Sequence, residues 1–196
     1  MKKLALIFLI LITVHCSGLR SAAISGIAFK SPYNIEKSLK ILIDSLKIDV
    51  KTIRILIQKS KYELSVWSDT IELKRYPVVF GTNPIDDKLR EGDRCTPEGE
   101  FKIKSKYPHK SWSKFIWIDY PNNASWTKHN EAIKNGLIPI DSKIGGEVGI
   151  HGVPKNCDYV IDQRQNWTWG CISLKNKDID ELYEVVNSNT LIRITK

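Results

Sequence analysis

The alternation of apolar and polar positions divides the chain into a helical segment, a long strand-rich region and a closing helix–strand pair. Residues 35–46 carry apolar side chains at 35, 39, 42, 43 and 46, a helical spacing, with Asn34 placed to cap the start and Glu36 in the first turn. From Thr52 the period changes to two. Ile53-Arg54-Ile55-Leu56-Ile57, Tyr62-Glu63-Leu64-Ser65-Val66-Trp67, residues 71–73 and residues 76–80 predict an antiparallel meander. Residues 101–104, 115–118, 148–151, 171–174 and 191–194 predict further strands. Ser125 is placed to cap a helix ending at Gly136. Apolar residues at 179, 182, 183, 185 and 186 mark one face of a C-terminal helix, and Asp178-x-x-Glu181 has the form of a capping box. The fold class expected is mainly β with a few helices (α+β), closing on a helix and a strand.

Two loops interrupt this pattern. Residues 83–99 form a long polar stretch containing Pro84 and Pro97, and structured loops of that length more often carry function than not. Residues 153–167, with Pro154, Asn156, Asp158 and Asp162, read as a surface flap between two short strands.

The first residues change the picture of where the protein works. Lys2 and Lys3 precede an apolar run over residues 4–14 that is too short to cross a bilayer, which is the form of an export leader. Two endings are open: a small-x-small site at Ser21-Ala22-Ala23, or a lipoprotein box ending at Cys16, followed by Ser17-Gly18. These two, and an uncleaved anchor as a third outcome, all put the domain outside the cytoplasm. The organisation expected is a leader over 1–23, a linker and amphipathic helix over 24–50, and one domain over 51–196. The 196 residues suffice for a single core without disulfides. At 42% hydrophobic and 27% charged residues the composition is that of a globular protein, not a disordered one. Of the net charge of +8, Lys2, Lys3 and Arg20 belong to the leader. The modest remainder is a solvated basic surface or a face for an anionic partner. No Arg-rich run or nucleic-acid motif points to DNA or RNA. A monomer is expected.

The cysteines carry the candidate chemistry. Cys16 falls in the leader, Cys95 and Cys157 could pair in an oxidising compartment, and Cys171 is left over. No CxxC occurs, so neither a zinc ribbon nor a thioredoxin motif is present. Cys171 follows Gly170 and opens an apolar run, and His151 closes another run twenty residues earlier. A neighbouring imidazole promotes a thiolate, so the two are candidates for nucleophile and base. The amides of Trp169, Gly170 and Cys171 are candidates for an oxyanion site. By pattern alone Gly-Cys-Ile-x-Leu reads more readily as a core strand, with His151 a turn histidine satisfied by backbone.

In combination these motifs resemble one family. Ile150-His151-Gly152 followed by Thr168-x-Gly170-Cys171-Ile172 is similar to the signature of the L,D-transpeptidase (YkuD-type) family. Gly81-x-Asn83-Pro84, Lys88-Leu89-Arg90-Glu91-Gly92-Asp93, Thr96-Pro97-Glu98-Gly99 and Asp119-Tyr120-Pro121-Asn122 resemble its YafK-like branch. The resemblance covers about residues 50–196. It implies a β-sandwich, Cys171 as nucleophile, His151 as general base and acid, Gly152 holding the imidazole through its carbonyl, and Thr168 lining the site. It implies no metal and no organic cofactor. The substrate implied is a peptidoglycan stem tetrapeptide cut at its L–D bond. The acyl group would pass to an amine such as a second stem peptide or a lipoprotein lysine, or to water, which makes the site a hydrolase. Many members carry Arg two residues after the cysteine, where this chain has Ser173, so Arg90, Arg94 or Arg164 would have to recognise the substrate carboxylate. Trp169 stands where the wider family often has His, and with Trp167 it is expected to form an aromatic wall. A non-catalytic wall-binding module is the alternative from another class.

Overall fold

The computed structural model describes residues 36–196. The Asn34 cap, the start of the first predicted helix, the leader and Cys16 lie outside the described residues. The helix runs Leu39–Leu46 (α1) and is capped by Ser38, whose hydroxyl accepts from the Ile41 amide. Strands Ile53–Gln58 (β1), Glu63–Ser68 (β2) and Ile71–Pro77 (β3) form the predicted antiparallel meander. The runs 71–73 and 76–80 read as two strands; a single strand, β3, instead takes in the first run and the start of the second, pairing with β2 through Lys74 and Arg75 with a register shift at Val66/Trp67, and beyond Pro77 only isolated bridges follow, from Val79 to Ser173 and from Gly81 to Thr168.

The remaining strands are Gly99–His109 (β4), Ser113–Ile118 (β5), Gly149–His151 (β6), Ile172–Ser173 (β7) and Leu191–Thr195 (β8). Among the described residues they complete one eight-stranded sheet in the order β3-β2-β1-β8-β4-β5-β6-β7. Pairing is parallel for β1–β8 and β6–β7 and antiparallel elsewhere. The long β4 links the two halves. Its first residues pair with β8, its later residues with β5, and its register shifts between Ile103 and Ser105. Such irregularities bend a strand and increase its twist.

The curled sheet closes on one core. Alternation turns Ile53, Ile55 and Ile57 inward from β1, Leu64 and Val66 from β2, Phe101 and Ile103 from β4, Ile116 and Ile118 from β5, and Ile192 and Ile194 from β8. Ile150 of β6 and Ile172 of β7 join the same cluster. Leu39 and Ile43 of α1 pack there beside Ile179, Leu182 and Val185 of the helix Asn176–Val185 (α4).

Two predicted caps differ. The helix Asn123–Lys134 (α2) starts earlier than expected, with Asn122 as its cap: the Asn122 carboxamide oxygen accepts from the Ser125 amide at 3.1 Å. The Asp178-x-x-Glu181 box does not form on α4, since Lys175 is the N-cap and makes no side-chain capping bond. Glu181 turns instead toward α1 and β3, where one carboxylate oxygen accepts from Lys74 Nζ (2.6 Å), Tyr76 Oη (2.9 Å) and the Leu39 amide (3.3 Å). A buried ammonium and a buried phenol gain more from a carboxylate than an exposed amide does.

The 153–167 segment is not a surface flap. Val153, Cys157 and Ile161 are buried against Val79 in a second apolar cluster, and a short helix (α3, Tyr159–Asp162) stiffens the segment. Asp158 accepts from the Asn176 amide at 3.1 Å, and Asp162 pairs with Lys175 at 2.5 Å, so both tie the segment to the start of α4. Cys157 lies in this cluster, whereas the Cys95 thiol donates to the Asp93 carbonyl in the 83–99 loop. The two cysteines occupy different packing environments, and no disulfide joins them.

Candidate active site

Strand register puts the two candidate residues on one face. In the parallel pair β6–β7, Ile150 faces Ile172 and both point into the core. Alternation then sends His151 and Ser173, one step on, to the opposite face, together with Cys171, which immediately precedes β7. His151 and Cys171 thus stand diagonally across adjacent strands. The Cys171 thiol lies against the start of β6: Sγ is 3.6 Å from the Glu147 carbonyl oxygen and receives a backbone hydrogen bond from Gly149.

The imidazole is fixed from every side. Its Nδ1 is 2.7 Å from the Gly152 carbonyl oxygen. That contact suits an Nδ1–H donor and leaves Nε2 as the basic nitrogen. Trp112 stacks on the ring at 4.4 Å, Phe115 lies parallel at 5.6 Å, and Trp167 meets it edge-on at 5.5 Å. The Gly152 carbonyl also accepts from Ser173 Oγ at 3.2 Å, and the Gly152 amide donates to the Trp112 carbonyl at 3.0 Å. Only glycine fits at 152, since a Cβ there would overlap Asn176 Oδ1 and lie 2.6 Å from the Trp112 carbonyl oxygen.

The turn before the thiol is tied by one hydroxyl. Thr168 Oγ1 donates to the Cys171 carbonyl at 2.7 Å and accepts from the Gly170 amide at 3.2 Å. Gly170 has φ +133°, and a Cβ there would lie 2.6 Å from the Cys95 carbonyl oxygen, so the 83–99 loop presses directly on the turn before Cys171. The Gly170 amide is therefore engaged and does not serve as an oxyanion donor. Among the described residues the Trp169 and Cys171 amides donate to no protein acceptor.

The electrostatics keep both groups neutral. Burial pushes the His151 imidazole down to about 4, with the Gly152 hydrogen bond opposing and His109 assisting. Burial pushes the Cys171 thiol up to about 11, against the Gly149 hydrogen bond and the charge of Lys88. Near neutral pH the pair is a thiol and a neutral imidazole, not a preformed ion pair.

The other sequence candidates are dispersed. Trp167 and Trp169 form no common wall. Trp167 packs inward on His151 and Trp112, and its buried indole N–H has no partner among the described residues, whereas Trp169 is 74% exposed. Arg94 lies over the Trp169 ring with its guanidinium carbon 3.7 Å from the centroid. Arg164 sits over Tyr62 at 5.3 Å, and Arg90 is exposed with a hydrogen bond to the Glu91 carbonyl at 3.4 Å. Sequence reasoning overlooked Trp112 and Lys88 as site residues, and noted Ser173 only as a departure from the family pattern. Lys88 is buried, donating to Asp93 at 2.9 Å and the Arg90 carbonyl at 3.1 Å, and its Nζ lies 3.9 Å from where a Gly170 Cβ would stand. Its only signal was its place in the Lys-Leu-Arg-Glu-Gly-Asp run, where a lysine ordinarily reads as solvated. Among the described residues no group of three or more His, Cys, Asp or Glu converges as a metal site would require, and no helix is long and apolar enough to cross a membrane.

The site comprises a cysteine and a backbone-held histidine on adjacent strands of a curled sheet. The L,D-transpeptidase catalytic domain (YkuD) pattern matches residues 52–194, and the chain belongs to this family. Among solved structures it is similar to Bd1075 of Bdellovibrio bacteriovorus, at 20% identity and TM-score 0.52, covering 74% of this chain and 48% of that one. It is also similar to the helical cell shape determining protein Pgp2 of Campylobacter jejuni, at 18% identity and TM-score 0.54, covering 81% and 55%. At these identities the likeness is one of fold, and the chain spans about half the length of these two proteins. No curated protein matches it.

Proposed function

We propose that the protein is an exported cell-wall enzyme, a peptidoglycan L,D-transpeptidase acting through a thioester on Cys171. The observation that carries this reading is the diagonal placement of Cys171 and His151, with the imidazole oriented by the Gly152 carbonyl, in a chain of this family. His151 Nε2 takes the Cys171 proton as Sγ attacks the carbonyl carbon of the L–D bond in a stem tetrapeptide. The oxyanion is met by the Trp169 and Cys171 amides. The tetrahedral species collapses as His151 returns the proton to the leaving D-amino acid nitrogen, giving a thioester and a free D-amino acid. An amine, from a second stem peptide or a lipoprotein lysine, then attacks the thioester, with His151 relaying its proton to Sγ. Thr168 holds the turn that presents Sγ. The enzyme acts as a monomer, without metal or organic cofactor, and Cys16 is a candidate lipid anchor.

One observation favours water as a second acceptor. The 153–167 segment packs on its own apolar cluster, and Cys171 keeps partial exposure. A site not closed over the thioester admits hydrolysis, which would make the same pair an L,D-carboxypeptidase or an amidase releasing wall-linked lipoprotein.

The test is incubation with purified muropeptides, with and without an added amine, read by mass spectrometry. A cross-linked or amine-capped tripeptide is the transpeptidase product, and a free tripeptide alone is the hydrolase product. Activity that survived Cys171→Ala would overturn the nucleophile.

A further inference from the structure

We infer that Trp112 is the charge partner of His151: the face of its indole stabilises the imidazolium that forms when Nε2 takes the Cys171 proton. This rests on the reading of Cys171 as the nucleophile and His151 as its base.

The reaction puts a charge where burial opposes one. The proton leaves Cys171 Sγ, sits on His151 Nε2 and passes to the leaving nitrogen, so the ring is a cation between the two transfers. His151 is 1% exposed, and burial disfavours that cation. Elsewhere a carboxylate commonly supports a catalytic imidazolium. Here Nδ1 meets the Gly152 carbonyl, and among the described residues no carboxylate pairs with the ring. One neutral carbonyl is a small counterweight to a buried charge.

Trp112 supplies the rest. Its ring lies 4.4 Å from the imidazole, centroid to centroid, at an interplanar angle of 24°, so His151 rests against the indole face. A cation within about 6 Å of an aromatic face is attracted by the ring quadrupole, and tryptophan is the strongest such partner. Phe115 is also parallel, at 8°, but it lies at 5.6 Å and offers the weaker face. Trp167 is turned by 81°.

The fold holds the indole for this contact. Trp112 sits at the tip of the β4–β5 hairpin, and its carbonyl accepts from the Gly152 amide at 3.0 Å and the Lys114 amide at 2.7 Å. Gly152 thereby joins base and indole, its carbonyl on the imidazole and its amide on the Trp112 backbone. Beside it, Ser113 has φ +58° and donates from Oγ to Asp180 of α4, which pins the hairpin tip. His109 stacks on the same indole at 4.3 Å and 10°. Trp112 acts through His151 and is a positioning residue with a charge-stabilising face.

The experiment replaces Trp112 by tryptophan analogues carrying one, two and four ring fluorines. Fluorine drains the π face and leaves the ring shape nearly unchanged. The readout is the nitrophenol released as a p-nitrophenyl ester acylates Cys171 at neutral pH, which follows thiol attack without a stem peptide. The rate should fall with each added fluorine, by about fivefold to 30-fold across the series, the range of a desolvated cation–π contact. The half-saturating ester concentration and the melting temperature should stay constant. In His151→Gln protein the residual rate should not respond to fluorine, because no imidazolium forms. Among natural side chains, Trp112→Phe should keep more of the rate than Trp112→Leu, with thermal melting as the check on folding. A rate indifferent to fluorine, or an equal response in His151→Gln, overturns the inference. A stepwise response in a protein that turns over no stem peptide leaves the role of Trp112 standing and overturns the proposed reaction. No acylation of the wild-type protein overturns the nucleophile and this inference with it.

Discussion

Ser173 Oγ and His151 Nδ1 converge on one atom, the Gly152 carbonyl oxygen, at 3.2 and 2.7 Å. The serine is wholly buried, so its bond to that carbonyl is shielded from water. Removing it leaves the carbonyl held by the histidine alone and free to drift with the ring. Ser173→Ala is therefore expected to lower kcat by about fivefold to tenfold, the equivalent of one ordinary hydrogen bond, with little change in KM. Steady-state kinetics on a stem peptide measures this, and an unchanged kcat would remove Ser173 from the positioning of His151.

Thr168 bridges the Cys171 carbonyl and the Gly170 amide with one hydroxyl. Thr168→Ser keeps both bonds and should retain most activity. Thr168→Val keeps the shape but strands a buried amide and a carbonyl, which should destabilise the fold by about 1–3 kcal/mol and slow thiol alkylation. Chemical denaturation and iodoacetamide labelling report the two effects separately.

Because the thiol is raised to about 11 and the imidazole lowered to about 4, no thiolate–imidazolium pair exists at rest. Alkylation of Cys171 should rise about tenfold per pH unit from pH 6 to 9, with no acid-side plateau, since only the thiolate reacts. Lys88 is the cation that lowers the thiol, so Lys88→Met should move this curve to higher pH while Lys88→Arg moves it less. A rate plateau between pH 5 and 8 would mean that an ion pair is preformed.

Stability should be nearly flat from about pH 4 to 6, through two opposing groups. His151 is held below its ordinary 6.5, so the unfolded chain binds more protons between 4 and 6.5, and its contribution is lost as pH falls through that window. Burial raises Asp178 from 3.8 to about 6, with Lys177 and Lys175 opposing, so the folded chain binds more protons there and its contribution is lost as pH rises. Asp178→Asn should expose the histidine alone, giving a slope of about +1.4 kcal/mol per pH unit. His151→Gln should give a slope of similar size and opposite sign. Urea unfolding at half-unit pH steps measures both.

The sequence by itself determined the strand inventory. Period-two runs such as Ile53-Arg54-Ile55 and Val148-Gly149-Ile150 commit one face to burial whatever their partners, and a strand holds that alternation locally. It also determined the order of motifs around His151 and Cys171, because glycine at 152 and 170 meets close backbone packing that no other residue tolerates. Only the tertiary structure decided where long side chains end. Glu181 left its own helix terminus for Lys74 and Tyr76, Trp167 turned inward while Trp169 turned out onto Arg94, and Val153, Cys157 and Ile161 made a packed strap of a segment that reads as a flap. Lys88 looks solvated in the sequence and is buried beside the turn before Cys171. The reason is physical. Hydrophobic periodicity is a local property of the backbone, but the partner of a charge or an aromatic ring is set by segments tens of residues away, brought together when the sheet curls.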